Sequence, residues 1–364
     1  MKDNNKLDTL HYFSLIALTM AGNGLFSLPR DVADRAGRAA WLVVLLTGIL
    51  VLIVSQLTER IASRFPDMDA GEWPKILLGP ILGRVWLILF FLKTIMVVYM
   101  TGKLFANILR VRQYYSTPTV LFAILITLLT IYLVTRGMGA MGRFSLLVLF
   151  VTLPTIVFVL FALRQGELTR LLPLGVTPLA GWLQSLPQAI YSNIGWDIIW
   201  FAYPCLKRQQ EARRGSVAAV LLIMLIYTLL TAAAIMNFGP DRLRTLLFPS
   251  LALISRLEFA LISRVDTLVL NLWQTSIVVT AASFLYMSSR LVQGVWSRLR
   301  FRPVALVLGL LVAAVQLIEV TPRQLAQFNI LVSNYGAALL LTSILTFTVL
   351  TIVGKGGHQR ATRR

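Results

Sequence analysis

In the stretch Tyr191-Ser192-Asn193-Ile194-Gly195-Trp196-Asp197, an amide, a glycine and a carboxylate interrupt an apolar run. The run covers residues 178–205, which is long enough for a bilayer-spanning helix of roughly 20 apolar residues. A carboxylate at membrane depth is costly and usually faces a cavity or a partner group. A glycine at that depth frees backbone groups that protein, water or a ligand must satisfy. The stretch therefore predicts a membrane span that is broken near its centre.

A second interruption lies near the N-terminus. Ala21-Gly22-Asn23-Gly24 divides the apolar run 10–28, and Pro29 follows directly. Two interrupted spans, one opening each half of a chain, point to the binding site of an inverted-repeat transporter. We therefore expect freed backbone groups from both interruptions to form one site near the middle of the membrane.

The composition indicates a polytopic membrane protein. Of 364 residues, 57% are hydrophobic and 13% are charged, whereas a soluble domain carries about 25% charged residues. The net charge of +19 would suggest nucleic-acid binding in a soluble protein. Here the basic residues lie mainly in the connections between apolar runs, where topology explains them. We therefore expect a single membrane domain over residues 1–364, embedded in a lipid bilayer, with no nucleic-acid partner.

The apolar runs predict an all-α fold with ten transmembrane helices. The predicted spans are residues 10–28, 39–62, 85–107, 117–134, 144–163, 178–205, 215–238, 265–288, 303–320 and 330–353. Five spans form a first repeat over 8–165 and five form a second over 175–353, and an odd number of crossings inverts the second unit. The prediction is thus a 5+5 inverted repeat with helices 1 and 6 broken.

Three further segments complete the predicted layout. Residues 69–83 hold glycines and prolines and are expected to be interfacial or loop-like. Residues 248–259 have the pattern of an amphipathic helix that lies on the membrane surface. Residues 354–364 form a basic tail. The connections on the side of the membrane that holds the N-terminus carry more basic residues than those on the opposite side, which favours cytoplasmic N- and C-termini. Arg30, Arg35 and Arg38, which lie on the opposite side, argue against this orientation.

Gly22, Asn23 and Gly24 are the first candidate ligand-binding residues. Free N–H groups at the start of a half-helix would suit a substrate carboxylate. The alternative is a pair of packing glycines in an unbroken helix. Asn23 adds polarity at depth, and the second interruption gives the first a counterpart, so we favour the binding hypothesis.

Asn193, Gly195 and Asp197 are the candidates at the second interruption, together with Lys93 in the middle of the third span. Asp197 could accept a substrate ammonium group, take a coupling proton, or pair with Lys93. The alternative is a structural ion pair at the edge of a cavity. Lys103 lies nearer the end of its span, where we expect the side chain to reach the membrane surface.

The span 265–288 carries hydroxyl groups that could hold a cation beside the first interruption. The candidates are Thr275, Ser276 and Thr280. Serine and threonine also join helices by hydrogen bonds in membranes, which is the competing interpretation.

Enzymatic motifs are lacking in the sequence. One cysteine, Cys205, and two histidines near opposite ends offer no zinc-site pattern. Residues 137–142 match G-x-G-x-x-G, but they fall in a short turn between two spans and not in the βαβ unit that a dinucleotide site requires. We therefore expect no enzyme, no metal site and no cofactor.

The order of several short motifs resembles the spore germination B-subunit family (the GerAB type). The landmarks are Gly24-Leu25-Phe26-Ser27-Leu28-Pro29-Arg30, Ala36-Gly37, Trp41, Phe65-Pro66, Glu72, Gly79, Leu171-Leu172-Pro173, Gly195-Trp196-Asp197, Tyr203-Pro204, Lys207, Phe248-Pro249-Ser250-Leu251, Glu258, Arg264 and Trp273. Each motif alone is weak, but their order covers roughly residues 8–350. This family is similar to the amino acid–polyamine–organocation transporters.

The resemblance implies a germinant-sensing subunit in the spore inner membrane. It implies that a small germinant, such as an amino acid, binds at the broken helices. The response would then pass to a membrane-embedded A subunit and a lipoprotein C subunit to trigger germination. Two other functions stay open: a proton- or cation-coupled amino acid permease, and a structural subunit with a degenerate pocket. The fifth span has no lysine that could replace a coupling cation, and Lys93 and Asp197 make the expected cavity unusually charged.

Overall fold

The computed structural model describes residues 5–22, 24–173, 178–257 and 265–353, and these ranges are helical almost throughout. The α-helices are α1 (Thr9–Met20), α2 (Gly24–Ala36), α3 (Ala40–Ala62), α4 (Pro74–Arg112), α5 (Thr119–Thr135), α6 (Met138–Thr152), α7 (Ile156–Gln165), α8 (Leu179–Ser192), α9 (Ile199–Ala202), α10 (Ala212–Thr245), α11 (Pro249–Ile254), α12 (Val265–Val295), α13 (Phe301–Gln316) and α14 (Pro322–Val353). Short 3₁₀ turns join several of them.

Within the described residues, six stretches of helix are long and apolar enough to cross a membrane. They are Gly24–Ala62, Pro74–Arg112, Met138–Gln165, Gln209–Thr245, Val265–Val295 and Arg323–Ile352. Three shorter apolar helices, Thr9–Met20, Thr119–Thr135 and Phe301–Gln316, accompany them. Many leucines and isoleucines on these helices are exposed, as expected of surfaces that face lipid and not water. The chain is therefore an integral membrane protein.

Each predicted span falls on one helix or on consecutive helices. The first span covers α1 and the start of α2, and the sixth covers α8, α9 and the turns around them. The fifth covers α6 and α7, which a 3₁₀ turn at Leu153–Thr155 joins around Pro154. Apolar length thus predicted the position of the helices well, since a bilayer-spanning segment needs an apolar run of defined length.

Two predicted connections differ from the observed structure. Most of the segment 69–83 is helical, because α4 begins at Pro74 and continues through a kink at Gly79. Gly79 has φ +80° directly before Pro80, a conformation that glycine tolerates, and the proline removes one helix hydrogen bond. The predicted surface helix is shorter than expected: α11 ends at Ile254, and residues 258–259 lie outside the described residues.

The helices of the first half pack mainly against helices of the second half. The broadest contacts join α4 with α12, α3 with α10, α2 with α8, α1 with α10, and α5 with α13. The core therefore lies between the two halves of the chain, and α1, α2 and α8 lie in it.

Lys103 is buried against the end of a neighbouring helix. Only 5% of its surface is exposed, and its ammonium group donates to the carbonyl oxygens of Gln316 and Ile318, both at 2.8 Å. Gln316 is the last residue of α13, where helix acceptors have no partner within the helix. Lys103 therefore caps α13, and its depth relative to the membrane surface stays a prediction.

Candidate functional site

The two interruptions of the helices lie directly against each other. The α1 helix ends at Met20 and α2 begins at Gly24, while α8 ends at Ser192. A Cβ atom on Gly24 would come within 2.9 Å of the Ser192 Cα atom. Glycine is therefore needed at position 24 for the start of α2 to approach the end of α8 this closely.

The contact is reciprocal at Gly195. A Cβ atom there would lie 2.5 Å from the carbonyl oxygen of Thr19 and 2.8 Å from the backbone nitrogen of Met20. Gly195 also has φ +130°, which is costly for residues with a side chain. The second interruption thus depends on glycine both for its backbone conformation and for its packing on the end of α1.

Side chains of α10 and α12 satisfy the backbone at the end of α1. The Thr280 hydroxyl donates to the carbonyl oxygen of Leu18 at 2.8 Å, and the Tyr227 hydroxyl donates to that of Met20 at 3.1 Å. The hydroxyl oxygens of Thr19 and Ser283 lie 2.7 Å apart. A helix end inside a membrane protein requires such partners, because no water is available in the bilayer core.

A buried ion pair anchors the second interruption. The Lys93 ammonium group contacts the Asp197 carboxylate, and both side chains are fully buried. The Lys93 nitrogen also lies 5.0 Å from the ring centre of Phe90 and 4.9 Å from that of Phe284, positions that favour a cation electrostatically. The second carboxylate oxygen, Asp197 Oδ1, has no hydrogen-bond partner among the described residues.

An aromatic cluster seals the interior next to this ion pair. Its members are Trp73, Trp86, Phe90, Trp200 and Phe347. Ring centres are 4.7 Å apart for Trp86 and Phe90 and 5.8 Å apart for Phe90 and Trp200. Such rings bury large apolar surfaces, so Asp197 lies in dry surroundings on this side.

Contacts beyond the aromatic cluster close this end of the molecule. Leu7 donates its N–H to the carbonyl oxygen of Cys205 at 2.8 Å and accepts from the N–H of Lys207 at 2.9 Å. The Lys207 ammonium group lies 3.1 Å from the Asp8 carboxylate. The segment before α1 is therefore fastened to the segment that follows α9.

Between the two interruptions is a small cavity of about 70 Å³. Its lining includes Gly22, Gly24, Ser192, Thr280 and Phe284. A wider recess of about 550 Å³ shares part of that lining, and the shared residues are Ser27, Asp31, Leu104, Gln188 and Asn329. The recess therefore connects the cavity with the surface around Arg30 and Arg244.

The predicted site residues divide into two groups. Gly22, Gly24 and Thr280 line the cavity. Asn193, Gly195, Asp197 and Lys93 are described by the structure and lie behind the lining. Their direct contact with a ligand stays a prediction, as does that of Asn23, which lies outside the described residues.

Two of the three predicted cation ligands donate their hydroxyl groups to backbone carbonyl oxygens. Thr275 donates its hydroxyl to the carbonyl oxygen of Leu272 at 2.6 Å, and Thr280 donates to that of Leu18. The Ser276 hydroxyl is buried without a partner in the described part of the chain. The cation site stays a prediction.

The sequence interpretation overlooked the polar residues at the mouth of the cavity. Ser27 and Asp31 follow Gly24 by three and seven residues, a spacing that puts all three on one face of a helix. Arg30, Arg35 and Arg38, which lie around Asp31, favoured a loop at this position. The helical spacing of Ser27 and Asp31 from Gly24 is the signal that could have identified them.

The chain matches a known family over most of its length. The family described as Spore germination protein matches residues 6–328. Spore germination protein B2 of Bacillus subtilis (strain 168) is 20% identical over 71% of this chain and 70% of its own length. GerQB of Bacillus cereus is 21% identical over 76% and 77%, respectively.

The fold also has a solved counterpart. The crystal structure of MhsT in complex with L-phenylalanine superposes with a TM-score of 0.71, covering 92% of this chain and 87% of MhsT at 16% identity. At this identity the likeness shows a shared fold. The family match over residues 6–328 establishes that the chain belongs to the spore germination protein family, as the order of its sequence landmarks predicted.

Proposed function

We propose that this protein is the germinant-binding subunit of a nutrient receptor of spores, and that its ligand is a small amino acid. The observation that carries the proposal is the cavity between the two interruptions, lined by Gly22 and Gly24 and continuous with an open recess. Relatives named for spore germination and a shared fold with MhsT, which binds L-phenylalanine in its crystal structure, support the same function.

The start of α2 suits the carboxylate of such a ligand. The first N–H groups of a helix have no partner within the helix and carry partial positive charge. Gly24 is the first residue of α2 and lines the cavity. At the mouth lies the Asp31 carboxylate, whose Oδ1 accepts from the Arg30 guanidinium group at 2.7 and 2.9 Å, so an entering ammonium group would share this acceptor with Arg30 or displace it.

The size of the cavity favours a small side chain. Its volume is about 70 Å³, whereas a cavity that holds benzene in an engineered protein has about 150 Å³. We therefore infer that glycine, alanine or serine fits this conformation and that an aromatic amino acid requires the cavity to widen.

We further propose the ten-helix, 5+5 inverted arrangement, with repeats at 8–165 and 175–353. The packing supports it, because the broad contacts pair the predicted second span with the seventh, the third with the eighth, and the fourth with the ninth. Units related by a pseudo-two-fold axis are expected to pair in this way.

Basic residues are more frequent in the connections on the side of the membrane that holds the N-terminus. This surplus supports a cytoplasmic location for both termini and for the tail 354–364. The recess near Arg30 and Arg244 would then open on the outer face, where nutrients arrive. Location in the spore inner membrane and assembly with A and C subunits are part of the proposal, and family membership supports both.

Equilibrium binding and uptake, measured on the same purified protein, test the proposal. We expect saturable binding of a labelled small amino acid without accumulation in proteoliposomes. If no amino acid binds either this protein or its complex with the A and C subunits, the germinant-binding function is wrong.

A proton- or cation-coupled amino acid permease is the second candidate. The unpartnered Asp197 Oδ1 and Ser276 hydroxyl favour it, since each is a buried polar atom without a partner among the described residues. Accumulation of the amino acid that depends on a pH or sodium gradient would support this function over the sensor.

A further inference from the structure

Two arginines flank a cleft far from the ligand cavity, between α5 and α13. The cleft has a volume of about 430 Å³, and its lining consists of Leu128, Ile131, Tyr132, Thr135, Arg136, Arg302 and Leu306. Three of these side chains are aliphatic, and a tyrosine and a threonine accompany them. The two guanidinium groups supply the charge.

Both arginines occupy the ends of apolar helices. Arg136 directly follows α5, and Arg302 is the second residue of α13. Because the apolar runs begin and end at these positions, the guanidinium groups lie at the level of the lipid headgroups. The positive-inside pattern assigns both connections to the cytoplasmic side.

Among the described residues, no carboxylate neutralises the two charges at the cleft. Arg136 and Arg302 are exposed, and neither forms an ion pair within the described residues. The guanidinium carbon of Arg136 lies 4.7 Å from the ring centre of Tyr132, which holds the side chain over the cleft. Two guanidinium groups without carboxylate neighbours suit a phosphate group and disfavour a second cation.

An apolar track leads away from the two arginines. On α5, Leu121, Leu125 and Leu128 are 53%, 53% and 48% exposed, and their spacing of four and three residues aligns them on one face. On α13, Leu306 and Leu310 are 43% and 54% exposed at a spacing of four. Seven residues of helix rise about 10 Å, so the track can accompany the first part of an acyl chain.

We propose that this cleft binds an anionic glycerophospholipid, with its phosphate between Arg136 and Arg302 and an acyl chain along the leucine track. Basic pockets between transmembrane helices bind anionic headgroups in this way. The apolar track commits the site to a lipid and not to free phosphate, because a soluble ion would gain nothing from it.

Binding of fluorescent phosphatidylglycerol to the purified full-length protein in detergent tests the proposal. We expect R136Q/R302Q to weaken binding about tenfold or more, because two charge-assisted hydrogen-bond sites are lost. R64Q/R143Q is the matched control: it removes the same charge from exposed arginines on the same predicted side, outside the cleft. The control should bind within about twofold of the unmodified protein, a factor worth well under 1.4 kcal/mol.

A second variant keeps the result interpretable if the glutamine variant folds poorly. R136K/R302K retains the charge but loses the planar fork, so we expect a smaller loss of binding than in R136Q/R302Q. If R136Q/R302Q and the control R64Q/R143Q lose the same amount of lipid binding, general surface charge and not the cleft explains the binding, and the proposal is overturned. Equal binding of phosphatidylcholine, or full competition by glycerol phosphate, would overturn the anionic-lipid assignment.

Discussion

The interruption before Gly24 and the interruption at Gly195 lie against each other but face different surroundings. The first borders a cavity that continues into an open recess, and hydroxyl groups of neighbouring helices satisfy its backbone. The second contributes Tyr191, Ser192 and Ile194 to the same cavity, whereas its residue Asp197 lies outside the lining in a buried ion pair, next to an aromatic cluster. The difference teaches that two similar sequence patterns can meet at one cavity while only the second also carries a buried ion pair.

The largest expected effect on stability comes from breaking the buried ion pair between Lys93 and Asp197. Asp197→Ala leaves the buried Lys93 charge unpaired, and we expect a loss of about 3–5 kcal/mol in the free energy of unfolding. Lys93→Met should be similarly harmful, whereas K93M/D197N should lose much less than the sum of the two. Unfolding in mixed micelles measures these values.

An exposed ion pair provides the control for the buried pair of Lys93 and Asp197. Arg170 and Glu167 lie 2.7 Å apart with side chains 37% and 62% exposed. Glu167→Ala should cost about 0–1 kcal/mol, because water screens exposed pairs. Simple additivity for Lys93 and Asp197 would contradict the anchoring role.

Gly195→Ala should come next, with a loss of about 1–3 kcal/mol from its backbone conformation alone and a further loss from the contact with Thr19. Gly239→Ala gives a reference for backbone cost without a steric contact. Gly239 also has a positive φ, +72°, at a different ψ of 163°, and a Cβ atom there would meet nothing within 4 Å. If Gly195→Ala loses no more than about 1–3 kcal/mol in the unfolding measurement, the backbone conformation explains the whole loss and the close packing of the two interruptions has no energetic weight.

At the first interruption, we expect binding to change more than stability. Gly24→Ala places a methyl group against Ser192 at the start of α2, so the affinity for a small amino acid should fall about tenfold, or 1.4 kcal/mol. Gly22→Ala is a milder change, because its Cβ atom would make an ordinary contact of 3.5 Å with Thr280. Calorimetric titration measures both affinities, and unchanged binding in Gly24→Ala would remove this residue from the site.

The smallest effect should come from the hydroxyl that caps α1. Thr280→Val removes the donor to the Leu18 carbonyl, and a lost hydrogen bond of this kind costs about 1 kcal/mol. Thr280→Ser keeps the donor and should retain stability and affinity. If the serine variant is as unstable as the valine variant in thermal unfolding, the methyl group and not the hydroxyl supports the helix end.

The sequence predicted the helices and offered the pairing with Lys93 as one of three roles for Asp197, because apolar length and charges at membrane depth are both visible in a sequence. The length of an apolar run locates a span, and two opposite charges at membrane depth are expected to form an ion pair. The sequence could not tell which side of the ion pair faces the cavity, because the positions of Phe284 and the aromatic cluster depend on packing between distant helices. Asp31 was missed for a related reason, since the nearby arginines obscured its position on the same helix face as Gly24.

Thiol protection tests the central claim most directly, namely that ligand binds at the first interruption. The sequence has one cysteine, so Cys205→Ser gives a cysteine-free background. Ser27→Cys then reports on the cavity mouth, and Ser116→Cys, exposed and outside both linings, is the control. We predict that glycine, L-alanine or L-serine slows the reaction of a thiol reagent with Ser27→Cys and leaves Ser116→Cys unchanged. If an amino acid binds this protein but protects neither cysteine, the ligand binds elsewhere and the account is contradicted.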